Sequence, residues 1–255
     1  MKKKKKIAII IGANGQDGSI LFKHLINLDY SIIGINKAGV RTHNIAWKTK
    51  VNINNKSNVF NLVKKIHPDE IYYLAAFHFS SENKSNSYYD DFSQSYQTNV
   101  LSLLNFLEAI RLYSPKTKLF YASSSLIFDN CRTKKQNENT IYAPNTAYGI
   151  TKMDGTLLCR SYREKFGLFA SVGILYNHES EYRPDDFIST KIIKSALRIK
   201  AGLQKKLIVG SLSAIVDWGY AHDYVKAMNM ILNSDKADDF IIATGKKHTV
   251  LDFIK

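Results

Sequence analysis

Ile7-Ala8-Ile9-Ile10-Ile11-Gly12-Ala13-Asn14-Gly15-Gln16-Asp17-Gly18 is the stretch on which the fold turns. Five apolar residues in a row read as a short strand buried on both faces, the pattern of a parallel sheet. Three glycines at G-x-x-G-x-x-G spacing follow, and from Asp17 to Leu28 the residues Leu21, Leu25 and Leu28 share one helical face. Glycine permits a tight turn and a close backbone approach to pyrophosphate, and the helix amino terminus offers amide donors and partial positive charge. Gly12, Gly15 and Gly18 are therefore candidate dinucleotide contacts.

The rhythm continues downstream. Strand-like runs at 31–35, 51–53, 70–75, 118–122 and 169–175 alternate with helix-like runs at 59–66, 88–112 and 146–165. Strands separated by helices imply a doubly wound, mostly parallel α/β sheet, a Rossmann-like domain over residues 1–176. Residues 177–255 repeat the pattern weakly: helical at 186–202, strand-like at 206–209, helical at 222–233, strand-like at 240–243, then a helix opening at Thr249. They read as a partial substrate lobe interleaved with the sheet. The polar loop from Asn130 to Asn145 is placed to frame a pocket.

The 255 residues carry 45% hydrophobic and 23% charged side chains, ordinary globular composition. Five lysines precede an apolar run of only Ile7–Ile11, too short for a signal peptide core. A cytoplasmic protein, with no membrane span, is expected. The net charge is +14, but the cations are spread along the chain and no nucleic-acid module accompanies them; a phosphate-bearing cofactor and an anionic sugar nucleotide suit that field. Cys131 and Cys159 lack CxxC spacing, and no histidine–carboxylate cluster has metal-ligand spacing, so no metal is expected. His67 and His78 read as structural or exposed.

Where the second strand ends, Asn36-Lys37-Ala38-Gly39-Val40-Arg41 offers two cations and no carboxylate. A ribose 2′-phosphate is favoured there over a free hydroxyl, hence NADP over NAD. Asn52 is placed for the adenine edge, and Ala75 and Ala76 are small enough to let the cofactor pass. Tyr148 and Lys152 form Y-x-x-x-K, one helical turn apart on one face. The ammonium is expected to stabilise the tyrosinate and lower the phenol pKa. Ser124, in Ser123-Ser124-Ser125 at the end of a strand, completes a hydroxyl, phenol and amine set.

With these motifs the chain resembles the extended short-chain dehydrogenase/reductase family, and within it is most similar to the GDP-mannose 4,6-dehydratase branch. The segments that carry the likeness are 15–19, 68–76, 173–180, 217–225 and 240–245, above all Asn177-His178-Glu179-Ser180 and Asp217-Trp218-Gly219. The resemblance implies proton removal from a hexose C4 hydroxyl by Tyr148, with Lys152 and Ser124 assisting, and then elimination of water across C5 and C6. It places Gln16, Asp17, His178 and Arg183 with the cofactor, and Asn177, Lys191, Asp217 and Trp218 with a GDP-sugar. It also implies a homodimer or homotetramer, and makes Asn99 a residue that positions the lysine.

Three departures accompany the likeness. The family's glutamate base falls on Leu126, its basic residues before Asp217 are replaced by Ile215-Val216, and the chain stops at Lys255, where members continue. Leucine removes no proton, and losing a general base costs about 10²–10⁴ in rate. Glu179 and Asp129 are the acids at hand to stand in. A GDP-sugar 4-reductase, 4-dehydrogenase or epimerase needs no such base, and a dinucleotide-binding relative without turnover needs neither.

Overall fold

The computed structural model describes residues 4–77, 87–133 and 135–255, so the expectation for His78 lies outside the described residues. The chain opens with β1 (Ile7–Ile11), α1 (Gln16–Asn27), β2 (Ser31–Asn36) and β3 (Gly39–His43). α2 (Lys56–Ile66), β4 (Glu70–Tyr73), α3 (Tyr88–Tyr96), α4 (Ser102–Tyr113) and β5 (Lys118–Ser124) follow. The next elements are α5 (Ala147–Phe166), β6 (Ala170–Leu175), β7 (Asn177–Glu179) and α6 (Ile188–Lys200). β8 (Ile215–Val216), β9 (Trp218–Tyr220), α7 (Ala221–Leu232), β10 (Asp239–Ile242), β11 (His248–Thr249) and α8 (Val250–Ile254) complete the order.

Among the described residues, seven strands form one sheet in the order β10-β6-β5-β4-β1-β2-β3. All pairs are parallel except β2 with β3. Both faces of β1 are buried. Ile9 and Ile11 pack with Val59 and Leu62 of α2, Leu103 and Phe106 of α4 and Cys159 of α5. Ala8 and Ile10 pack on the other face with Leu21 of α1 and Tyr224 and Met228 of α7. The strand order reverses between β1 and β4, which opens a crevice at the carboxyl ends of these strands.

Three expectations are corrected. Residues 51–53 form no strand; the sheet edge beside β2 belongs to β3, an antiparallel partner returned by a two-residue turn. The Asn36 side-chain carbonyl accepts from the amides of Ala38 and Gly39 and sets that turn. Val51 is still buried, so its apolarity reports core packing and not pairing. Residues 206–209 form no strand, and Ile208 points to solvent at 66% exposure; β8 lies further on and pairs with β11. The helix expected at 88–112 carries a π-turn at Gln97–Leu101 between α3 and α4.

Residues beyond 177 return to the sheet. β10 adds to its edge beside β6, and α7 packs on α1. No described helix is long and apolar enough to cross a membrane.

Candidate active site

The turn after β1 is shaped by what cannot fit. A Cβ on Gly12 would lie 2.8 Å from the Ala75 amide nitrogen, and Gly12 holds φ +92°. A Cβ on Gly18 would lie 2.2 Å from the Gly12 carbonyl oxygen. Both glycines are required for the turn, α1 and the end of β4 to close together. Gly15 is the N-cap of α1, and no side chain caps the helix. The cradle has the form that suits an anion at a helix amino terminus.

Arg41, expected at the cofactor's ribose, lies on β3 behind the turn. Its guanidinium donates to the Ala13 carbonyl and stacks 3.9 Å from the Phe22 ring, while its Nε is buried without a hydrogen-bond partner among the described residues. Lys37 is exposed at the hairpin tip, 5.5 Å from the Phe77 ring centre. Asn52 is exposed, and its side chain accepts from the Asn54 amide. Ala75 is half-buried and Ala76 exposed at the end of β4.

Gln16 and Asp17, on the first turn of α1, meet the segment after β6. Gln16 Nε2 donates to the His178 carbonyl, and its Oε1 accepts from Ser180. His178 Nε2 lies 3.0 Å from both Asp17 carboxylate oxygens, and its Nδ1 lies 2.7 Å from the Tyr176 carbonyl oxygen. Both ring nitrogens face acceptors, an arrangement that favours the doubly protonated ring. Burial opposes that charge, yet Asp17 and the Tyr176 carbonyl raise the His178 pKa above its ordinary value. Burial alone would raise Asp17; His178 reverses this and holds the carboxyl below its ordinary range. The ring also stacks on Tyr224 at 4.4 Å. This clasp joins the glycine turn to the carboxyl-terminal part of the chain. Arg183 lies 3.2 Å from Glu179 and stacks 3.6 Å over Phe187.

Tyr148 and Lys152 share one face of α5, whose N-cap Thr146 accepts from the Gly149 amide. Lys152 is buried, with Nζ donating to the Ala122 carbonyl at 2.7 Å and lying 5.5 Å from the Tyr148 ring centre. Burial pushes its pKa down to about 7. Burial likewise raises the Tyr148 phenol well above its ordinary value, with Arg183 opposing. That corrects the expectation of a lowered phenol: among protein groups desolvation outweighs the neighbouring charges, and Lys152 directs its Nζ at the Ala122 carbonyl. Ser124 ends β5 and accepts from the Leu126 amide, whereas Ser123 is turned inward onto Thr156. Asn99 sits in the π-turn. It accepts from the Phe77 amide and donates to Ser95 and Thr151, so it supports the residue before the lysine.

Beside these residues lies a cleft of about 390 Å³, within the range of small-molecule sites. Leu126, Asp129, Gln136, Asn177, Val216 and Asp217 are among its lining residues. Gln136 comes from the polar loop expected to frame a pocket. The Asp217 carboxylate accepts from the amides of Thr244 and Gly245, closing the far wall. The Trp218 ring meets that of Phe253 at a tilt, centres 5.0 Å apart, its indole nitrogen buried without a partner among the described residues, and Lys191 lies on the first turn of α6; neither lines this cleft. A second hollow of about 450 Å³ is lined by Arg160, Arg163 and Asp239, which pair with one another at the amino end of β10, the edge away from Ser124. Phe128 and Tyr176 are lining residues that motif reading did not place in a site. Asp129 carried a signal only as an acid near Leu126.

The chain is similar to known proteins in sequence and in fold. The family model described as GDP-mannose 4,6 dehydratase matches residues 9–255. The GDP-mannose 4,6-dehydratase of Vibrio cholerae serotype O1 is 35% identical over 268 residues, covering 98% of this chain and 70% of that protein. In fold, the chain is similar to dTDP-glucose 4,6-dehydratase from Bacillus anthracis in complex with NAD, with TM-score 0.80 and 21% identity over 97% of this chain and 78% of that one. RMD from Pseudomonas aeruginosa complexed with NADPH gives TM-score 0.80 and 20% identity, covering 96% and 79%. The match of residues 9–255 to the family model and the identity to the Vibrio protein decide the assignment: this chain belongs to the GDP-mannose 4,6-dehydratase family.

Proposed function

We propose that the protein is a nucleotide-sugar lyase that converts GDP-mannose to GDP-4-keto-6-deoxymannose, with NADP as its bound dinucleotide. The observation that carries this reading is the placement of Ser124, Tyr148 and Lys152 at the carboxyl edge of the sheet, beside an uncapped helix terminus and the cleft. Residues 1–176 hold the dinucleotide, and 177–255 supply the sugar side. The dinucleotide fits a cradle in which a Cβ on Gly12 or Gly18 has no room, with Lys37 at the tip of the adjoining hairpin and Arg41 bracing the Ala13 carbonyl. Gln16, Asp17, His178 and Arg183 shape that cradle through their contacts with one another and with Glu179.

When bound, the nicotinamide supplies the hydride acceptor for C4. Tyr148 takes the C4 hydroxyl proton, Ser124 orients that oxygen, and Lys152 offers positive charge to the phenolate as it forms. The buried phenol resists ionisation until positive charge arrives, which ties proton removal to assembly of the complex. Asn177 and Asp217 line the sugar cleft, and Trp218 and Lys191 serve as further GDP-sugar contacts. The protein works in the cytoplasm as a homodimer or homotetramer.

One observation favours a second reading. Leu126 lines the cleft where the family's base is expected, and a 4-reductase, 4-dehydrogenase or epimerase does its chemistry at C4 without that base. Mass analysis after incubation with GDP-mannose separates the two. Loss of one water supports the lyase. Interconversion of hydroxyl and ketone at C4 with no loss of water replaces it with the second reading. Dinucleotide binding with no turnover of any GDP-sugar would sink both.

A further inference from the structure

The cleft holds leucine where elimination asks for a carboxylate, yet a carboxylate stands one turn further on. Leu126 belongs to a 3₁₀ turn over Ser125–Phe128, and Asp129 follows it still in helical backbone, φ −53° and ψ −41°. A 3₁₀ helix has three residues per turn, so positions 126 and 129 eclipse each other on one face, about 6 Å apart along the axis. Both side chains line the same cleft.

The other acids near the cleft are engaged. Asp217 accepts from Thr244 and Gly245. Glu179 accepts from Ser189 at 2.6 Å and faces Arg183. Asp129 is exposed and makes no hydrogen bond or ion pair with any described residue. An acid committed to internal donors is a poor base, because those donors must be abandoned before a proton is taken.

We propose that Asp129 is the base that removes the C5 proton from the 4-keto sugar, a catalytic role moved one 3₁₀ turn from position 126. The inference rests on the GDP-sugar reading above. The C5–H bond breaks, its proton passes to the Asp129 carboxylate, and its electron pair enters the C4 carbonyl as an enolate. The enolate expels the C6 hydroxyl, which leaves as water with the proton Asp129 had taken.

The test uses the full chain and preformed GDP-4-keto-6-deoxymannose in deuterium oxide. Exchange of the C5 hydrogen requires the base but no hydride transfer, and NMR reads it directly. The wild-type protein incorporates deuterium at C5. Asp129→Asn slows incorporation by about 10²-fold or more with its thermal transition unchanged, and adding Leu126→Glu to that variant restores it. Exchange by Asp129→Asn at the wild-type rate overturns the proposal. So does a wild-type protein that moves hydride at C4 without exchanging C5, an outcome that leaves the C4 chemistry standing. Loss of exchange in Asp129→Asn together with no hydride transfer at C4 would support the base and sink the lyase reading.

Discussion

The two ends of the groove are built differently. At the glycine turn, side chains close on one another: Gln16 and Asp17 hold His178, and Arg41 braces the Ala13 carbonyl from behind. On the sugar side, the turn after β5 presents Leu126 and an unengaged Asp129 to open space. The first end is a preorganised cradle, in which long-range contacts hold backbone that must not move. The second is a short turn whose side chains change without disturbing the sheet, since Ile127 and Phe128 hold it in the core while 126 and 129 face out. Within one fold, long-range contacts lock the cradle, whereas positions 126 and 129 make no such contacts among the described residues.

Tyr148→Phe cuts deepest. Removing the phenol should lower C4 oxidation by about 10³-fold, read as single-turnover reduction of bound dinucleotide. Dinucleotide affinity should change far less, and an equal loss of both would erase the contrast between the two ends.

Asp17→Asn comes next. It strands a mostly buried imidazolium and should cost about 3 kcal/mol of stability. Denaturant unfolding measures it, and a cost near zero would mean that the clasp holds nothing. Gly18→Ala places a methyl group 2.2 Å from the Gly12 oxygen and should cost about 1–3 kcal/mol along with dinucleotide binding. Gly210→Ala, with open space around the new methyl, is the neutral control.

The pH dependence is the subtlest effect. His178 is raised in the fold, so its contribution is complete below the ordinary value of 6.5 and is lost as pH climbs through the folded value. Asp17 is lowered, so its contribution is complete above the ordinary value of 3.8 and is lost as pH falls through the folded value. Stability from the clasp therefore peaks between these two ordinary values and declines toward alkaline pH. In Asp17→Asn the alkaline decline should shrink, and unfolding curves on both sides of neutrality would show whether it does.

Much of this was legible without coordinates. The run from Ile7 to Ile11 carries its two-faced burial in its composition, and Gly12 and Gly18 announce a turn that tolerates no side chain. Tyr148 and Lys152 meet because four residues span one helical turn. Val51 misled because burial without pairing leaves the same apolar trace as a strand, and the hairpin at Lys37-Ala38 was hidden in a stretch read for charge.

By itself the sequence determined what short-range rules govern: strand faces, glycine turn and helix registers. The tertiary structure alone decided that Asp17 meets His178, 161 residues away, and that burial raises Tyr148 instead of lowering it. It alone decided that a 3₁₀ turn sets Asp129 above Leu126. Periodicity and backbone permission are local and survive in a string of letters. Desolvation and contact between distant residues exist only once the chain has closed.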